Sequence, residues 1–394
     1  MKKLLFFLFA TTMAHAQQYV WTQRASLPAS PRHEAMAFSI GSKGYFGTGM
    51  NSILSSTFND LWEYDEPTNT WTQKANMPGP SRYGAAAFSI GSLGYVGTGW
   101  TNSGVQLKDF YEYNPATNQW TAKADFAGAK RYDACGVAIG NSGFIGFGFS
   151  PLQKDIYQYF PVSNTWLKMP DLPAAPRQSI AAFVINGTGY FTGGASGQSD
   201  FKDCWAFTPA NNLWTQVADY AGAGRHGGVS MVINNLGIVG GGRDSINIFN
   251  DYYAYDPSLN SWSQVTNFPQ SARFSADAFT INNKGFVCGG WDVFGNHYSE
   301  LWQLSQVTSV NNPLPQLQIT SQYFSASKTL LVKNQSASAA EITLYSLSGS
   351  KVAKHSIPAG DDYSFQMDAV AKGIYLCSAS ADNSQPFVTK FSVN

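Results

Sequence analysis

The feature that most restricts what this chain can fold into is an internal repeat with nearly fixed spacing. Trp recurs at 21, 71, 120, 166, 214 and 262, and eleven residues after each stands an Arg: Arg32, Arg82, Arg131, Arg177, Arg225 and Arg273. Twelve residues beyond each Arg is a Gly (44, 94, 143, 189, 237, 285), and five further on is another (49, 99, 148, 194, 242, 290). A variable stretch then leads to Asp60, Asp109, Asp155, Asp203, Asp251 and Glu300, and the next Trp follows each of the five Asp by eleven residues. Such a period makes each copy one supersecondary unit stacked on its neighbours.

Each unit reads as four strands. Offsets six and eight after the Arg are apolar, as in Phe38 and Ile40 or Met231 and Ile233, while offsets three and five are mostly Ala or Gly. That alternation of one bulky and one small face describes a strand packed on both sides. A turn such as residues 41–44 leads to a second apolar strand, Tyr45-Phe46-Gly47, ending near the paired Gly. Alternating aromatics (Leu61-Trp62-Glu63-Tyr64) form the third, and a Pro/Asn turn such as residues 114–118 feeds the fourth at the Trp. A four-stranded unit cannot bury both faces alone, and radial repetition solves this as a β-propeller. The last unit, Arg273 to Leu304, lacks a Trp strand, whereas the Trp21 strand lacks a unit. Six blades result if the N-terminal strand completes the sixth. Losing residues 17–27 would then open the ring, and Trp21→Ala would cost about 3–5 kcal/mol if that Trp is fully buried.

Composition agrees. The 394 residues hold 37 Gly, 15% aromatic and 13% charged residues, as expected of many short strands and tight turns. With 25 basic against 25 acidic residues and no basic block, nucleic acid is excluded as an expected partner. Lys2 and Lys3, the apolar run from Leu4 to Ala10 and Ala14-His15-Ala16 read as a signal peptide over 1–16. No later segment is apolar enough to span a bilayer as a helix, so an exported monomer without a transmembrane segment is expected. The 4 Cys, at 135, 204, 288 and 377, lack metal or disulfide-scaffold spacing and read as buried free thiols.

In its order of apolar strand, Gly doublet (Gly193-Gly194, Gly289-Gly290), aromatic strand, Pro turn and Trp, the repeat resembles the Kelch family over about residues 19–305. Thr48, Thr98 and Phe147 replace the first Gly of the doublet in blades 1–3, a departure expected to alter local packing only. The expected fold class is all-β: a six-bladed Kelch β-propeller over 17–305 closed by an N-terminal strand, a linker over 306–316, and a small Ig-like β-sandwich over 317–394. That last segment has no Trp and several short alternating strands. Its runs from Leu344 to Val352, Lys372 to Tyr375 and Lys390 to Val393 resemble the type IX secretion sorting domain of Bacteroidota. The resemblance implies the type IX secretion machinery as a partner, with delivery to the cell surface or the medium.

Strands alternate in direction, so the loop entering each Arg and the loop between strands two and three share one face, here called the Arg face. The latter loops vary from 6 intervening residues (149–154) to 10 (50–59), and variation on a rigid scaffold is where recognition resides. The six Arg read first as blade-to-blade hydrogen bonding and second as a cationic rim for an anionic ligand; the resemblance implies that some line the mouth. Residues found in only one or two blades are stronger candidates: His33, Glu34, Tyr83, Tyr132, Asp133, His226 and Asp277. Asp277 stands where other blades carry Met36, Ala86, Cys135, Ala181 or Val229, so its charge needs a partner, such as a neighbouring Arg. Trp100, Arg243, Asp244, Trp291, Asp292 and His297 lie in loops of the same face, where Trp100 and Trp291 could stack on sugars or peptides.

Phosphate loop, His-Glu-x-x-His, Gly-x-Ser-x-Gly and calcium-loop patterns are absent from the sequence. No metal or cofactor is expected. Galactose oxidase also has a Kelch propeller, but its paired-His and crosslinked Cys/Tyr copper site has no counterpart here. The expected function is binding of a glycan, peptide or surface polymer through an Arg-lined face. The alternative is a sugar mutarotase or epimerase similar to N-acetylneuraminate epimerase, with His33 and Glu34 or His226 and Asp277 as acid/base pairs.

Overall fold

A computed structural model describes residues 18–149, 151–197, 199–307, 317–336, 338–381 and 387–393, and every regular element among them is a β-strand. They fall into two compact units, Met1–Thr308 and Ser309–Asn394. The expected signal peptide and residues 308–316 of the expected linker lie outside the described residues.

The first unit is a ring of six four-stranded antiparallel meanders. Blade 1 consists of Met36–Ile40, Lys43–Gly47, Leu61–Asp65 and Thr70–Lys74, from axis to rim. The innermost strands touch in cyclic order, blade 6 against blade 1 included. Closure is made as the orphan strand requires: Gln18–Arg24 pairs antiparallel with Leu301–Val307 as the outer strand of blade 6. That pairing, with Tyr19 opposite Gln306, carries the blade two residues into the expected linker.

Two repeat positions explain each other across the blade interfaces. A Cβ on Gly94 would lie 2.4 Å from the Phe38 ring of blade 1, and one on Gly143 would lie 2.1 Å from Phe88 of blade 2. Phe183, Met231 and Phe279 occupy the same place against Gly237, Gly285 and Gly44. The Gly is therefore required by the bulky residue of the preceding blade. The Trp acts at the rim. Trp71, Trp120, Trp166, Trp214 and Trp262 donate through Nε1 to the carbonyls of Ala25, Ala75, Ala124, Pro170 and Ala218 on the preceding blade, at 2.8–3.0 Å. Trp21 does the same to Thr266, at 3.3 Å, and so seals blade 6 to blade 5. Because Trp21 is only half-buried, its removal should cost less than a fully buried Trp.

The second unit has a three-stranded sheet (Ile319–Phe324, Thr329–Asn334, Asp362–Gln366) and a four-stranded one (Lys351–Ile357, Ala340–Ser346, Gly373–Ser380, Phe387–Val393). Leu330, Val332 and Phe365 of the first share one apolar core with Ile342, Leu344 and Cys377 of the second, which makes it a sandwich. The four Cys are free.

Candidate functional site at the mouth of the axial channel

The six Arg do not form a cationic rim. All are between 0 and 4% exposed, and each guanidinium is consumed within its own blade. In blade 3, Arg131 Nε donates to the Ala129 carbonyl (3.0 Å) and Nη1 to the Phe147 carbonyl (2.9 Å), while Nη1 and Nη2 grip the Asp155 carboxylate at 2.6 and 3.1 Å. Arg32, Arg82, Arg177 and Arg225 repeat the arrangement with Asp60, Asp109, Asp203 and Asp251, and Arg273 pairs with Glu300. Buried and held by the paired acid and backbone carbonyls, the guanidinium is shielded from a ligand at the surface. The expectation that some of these Arg line the mouth is thereby overturned. The recurring acid, present in every copy at the end of the variable loop, was the available signal: two opposite charges kept in all six units are each other's partners. The same geometry accounts for Thr48, Thr98 and Phe147. These residues take the left-handed conformation (φ 55–62°) that Gly193, Gly241 and Gly289 supply elsewhere, and it presents their carbonyls to the Arg.

One and two residues beyond each Arg, the copies diverge. At the second position stand Glu34, Gly84, Asp133, Ser179, Gly227 and Ser275, all with φ between 47 and 61°. Each N–H donates to the carbonyl of its counterpart in the preceding blade, from Gly84 N to Glu34 O (2.9 Å) round to Glu34 N to Ser275 O (2.9 Å). Six peptide groups thus close a hydrogen-bonded ring, the neck of the axial channel. The fold's requirement here is met by Gly in two blades. Glu34, Asp133, Ser179 and Ser275 meet it at about 1–2 kcal/mol each.

The neck residues line a cavity of about 120 Å³ together with Asp277, which lies one layer deeper. Three carboxyls, from blades 1, 3 and 6, therefore share one narrow lumen. No Lys or Arg pairs with any of them among the described residues; Asp133 accepts from Ser179 Oγ (3.1 Å) and Asp277 from the Ala35 N–H. The salt bridge expected for Asp277 is not made. Burial pushes the Glu34 carboxyl up to about 7. Burial, then the charge of Glu34, raise Asp133 well above the usual range, against the Ser179 bond. Asp277 is raised likewise by burial and by Glu34 and Asp133. His33 supplies no compensating charge, since burial drives it down to about 4.

Above the neck, the first position after each Arg carries His33, Tyr83, Tyr132, Gln178, His226 and Phe274; Phe274 opens the innermost strand of blade 6, and the other five stand just ahead of theirs. Each is bridged to the residue after the second repeat Gly: Met50, Trp100, Phe149, Ala195, Arg243 and Trp291. Two concentric rings of blade-specific side chains result. In blades 2 and 3 they form an aromatic wall. Trp100 stacks on Tyr83 (centroids 6.3 Å) and meets Tyr132 (4.3 Å), which packs on Phe149 (5.6 Å). Phe149 and Gln178 belong to this mouth although the sequence reading passed over them; their offset in the repeat was the available signal.

On the opposite side, Trp291 is sandwiched by His33 (4.7 Å) and Phe274 (4.8 Å), with His297 at 5.6 Å. Trp291 Nε1 and the Nδ1 atoms of His33 and His297 are buried without hydrogen-bond partners. His226 Nδ1 lies 2.6 Å from Asp200 Oδ1, so the pair expected between His226 and Asp277 is instead His226 with Asp200. His33 and Glu34 do approach, Nδ1 to Oε1 at 3.6 Å. Arg243 lies over the Phe274 ring (4.9 Å) and donates to the Asp244 carbonyl. Asp244 and Asp292 cap their own loops. Asp292 accepts from the Phe294 and Asn296 N–H groups and the Tyr298 hydroxyl. Among the described residues no cluster of His, Cys, Asp or Glu is arranged to hold a metal.

A closed ring of blades around such a mouth, ahead of a β-sandwich, defines a two-part β-propeller protein, and comparison with known proteins names its parts. Residues 130–290 match the KLHDC2/KLHL20/DRC7 Kelch-repeats domain, and residues 325–394 match the secretion system C-terminal sorting domain. The chain thus carries a Kelch-repeat propeller and a type IX sorting domain, which directs it to the cell surface or the medium. The solved structure titled "Structure of YjhT" is similar over 72% of this chain and 97% of its own, with a TM-score of 0.62 at 16% identity, a likeness that bears on the fold alone. Curated proteins yield no match.

Proposed function

We propose that the exported propeller is a recognition module that takes its ligand into the axial mouth, against the aromatic wall of Tyr83, Trp100, Tyr132 and Phe149 and above the neck. One observation carries this reading: the non-repeating side chains converge on one opening, while the repeating ones are consumed by the fold. A rigid scaffold with divergent residues at one mouth is the arrangement of a binding site. An anionic ligand is disfavoured, because the six repeat Arg are paired and the neck is acidic.

A second reading, sugar mutarotation or epimerisation, draws support from the His226–Asp200 pair. The carboxylate orients the imidazole, and Nε2 makes no hydrogen bond among the described residues, as a general base requires. The YjhT likeness, to a propeller of the sialic acid epimerase kind, agrees in fold. Saturation-transfer NMR of the full chain with neutral, acidic and amino sugars and with peptide pools separates the readings. Binding predicts transfer without anomer exchange, abolished by Trp100→Ala with Tyr132→Ala. Transfer that survives that double change would sink the mouth as the site, and anomer exchange lost in His226→Gln would put catalysis first.

A further inference from the structure

The mouth has a sign and a texture that together specify what it can hold. Glu34, Asp133 and Asp277 surround one lumen without a basic partner among the described residues, and the arrangement is not that of a metal centre. An independent observation points to the same spot. His33 is only 4% exposed, and its Nδ1 is buried without a hydrogen bond, 3.6 Å from Glu34 Oε1. A buried polar atom left open beside a carboxyl implies that another group completes the site. Tyr83 and Tyr132 stand over the neck with their rings 6.3 Å apart, and ring faces beside carboxylates favour an organic cation.

Around this centre the loops between strands two and three carry outward-facing apolar tips. They are Ile53 and Leu54 in blade 1, Val105 in blade 2, Ile246 in blade 5, and Val293 and Phe294 in blade 6. Ile246 and Phe294 are 86% and 84% exposed. A crown of large apolar side chains around one opening marks a surface that another molecule covers. A hydrated sugar gains nothing from aliphatic loop tips, whereas a polypeptide does.

We propose, building on the mouth as the binding site, that its occupant is a polypeptide segment that inserts a lysine or arginine side chain into the acidic neck while apolar neighbours of that residue cover the loop crown. The charges are complementary: a basic side chain supplies the partner that the three carboxyls lack. The apolar stem of such a side chain lies against the packed Tyr83–Tyr132 pair, leaving its charged end at the neck. Loading the site with a cation requires ionised carboxyls, so the affinity should fall as the solution is acidified. The groups facing Glu34 are His33 from its own blade, Tyr83 from blade 2, Tyr132 and Asp133 from blade 3, and Asp277 from blade 6.

The test uses the immobilised full chain and three synthetic pools of heptapeptides with random flanks, centred on lysine, Nε-acetyl-lysine or glutamate. The expected result is at least ten-fold greater retention of the lysine pool, enriched in apolar flanks, with retention falling from pH 8 to pH 5.5. Glu34→Gln and Asp133→Asn, which preserve shape, should bring the ratio towards one. Ile246→Ser with Phe294→Ser should lower lysine-pool retention several-fold and leave the ratio intact. Equal retention of the lysine and acetyl-lysine pools, still lost in Trp100→Ala, would overturn the cationic insertion while leaving the mouth as the site. Preference for the glutamate pool would overturn it outright, and glucosamine binding in place of peptides would reassign the neck to an amino sugar. Silence of every pool and every sugar would remove the mouth reading as well.

Discussion

Two rings separated by two residues in each blade behave in opposite ways. The Arg ring is the same six times over, buried, and neutralised by an acid from its own blade; the neck ring differs from blade to blade, faces the lumen, and holds carboxyls with no basic partner. The difference shows what repetition means in a propeller. A charge that every unit carries must be satisfied within every unit, because each blade meets the same neighbours. A charge that one unit carries has no such partner built in, and at the neck no Lys or Arg among the described residues supplies one.

The comparison can be broken most forcefully at the first ring. Arg131→Leu would leave Asp155, whose side chain is 14% exposed, without its partner, and should lower stability by about 3–5 kcal/mol in urea unfolding. Adding Asp155→Asn should restore part of the loss, and a single variant as stable as wild type would contradict the role given to the ring. At the closure, Trp21→Ala removes a half-buried ring packed edge-on against Tyr252 and Phe268, each at 5.1 Å, together with the Thr266 bond. A cost of about 2 kcal/mol is expected, read as a lowered melting temperature. No change would mean that the N-terminal strand does not hold blade 6.

The neck ring should respond in the opposite sense and by the smallest amount. Glu34 has an ordinary pKa of 4.5 and a folded value of about 7. The folded state therefore holds its proton more tightly than the unfolded chain, and stability is full below the lower value and declines as pH rises towards the upper. Asp133 and Asp277 act in the same direction. Glu34→Gln should match wild type at pH 4 and exceed it by on the order of 1 kcal/mol at pH 8, measured by urea midpoints. A variant less stable than wild type at pH 8 would show that the Glu34 charge already has a partner.

The blades, their number and their closure were legible in the chain, because Trp21 without a unit and a sixth unit without its Trp state the closure in one dimension. The blade-specific candidates were also legible by the test of non-repetition, and Glu34, Asp133 and Asp277 do share one lumen. The Arg were misread as a possible rim because a spacing says which residues recur and not which way they point. His226 was matched with Asp277 as an acid/base pair, whereas Asp200, from a variable loop, is the acid that reaches it.

The sequence by itself determined the architecture, since the Gly at offset twelve and the bulky residue at offset six encode blade-on-blade packing through local spacing alone. Only the tertiary structure decided the sign of the mouth. Ring closure brings together carboxyls that are about 99 and 144 residues apart, and the pairing of each Arg with its acid removes the positive charge that the recurring Arg had seemed to offer. Charge in a folded protein is set by what remains unpaired, and pairing is a property of three dimensions.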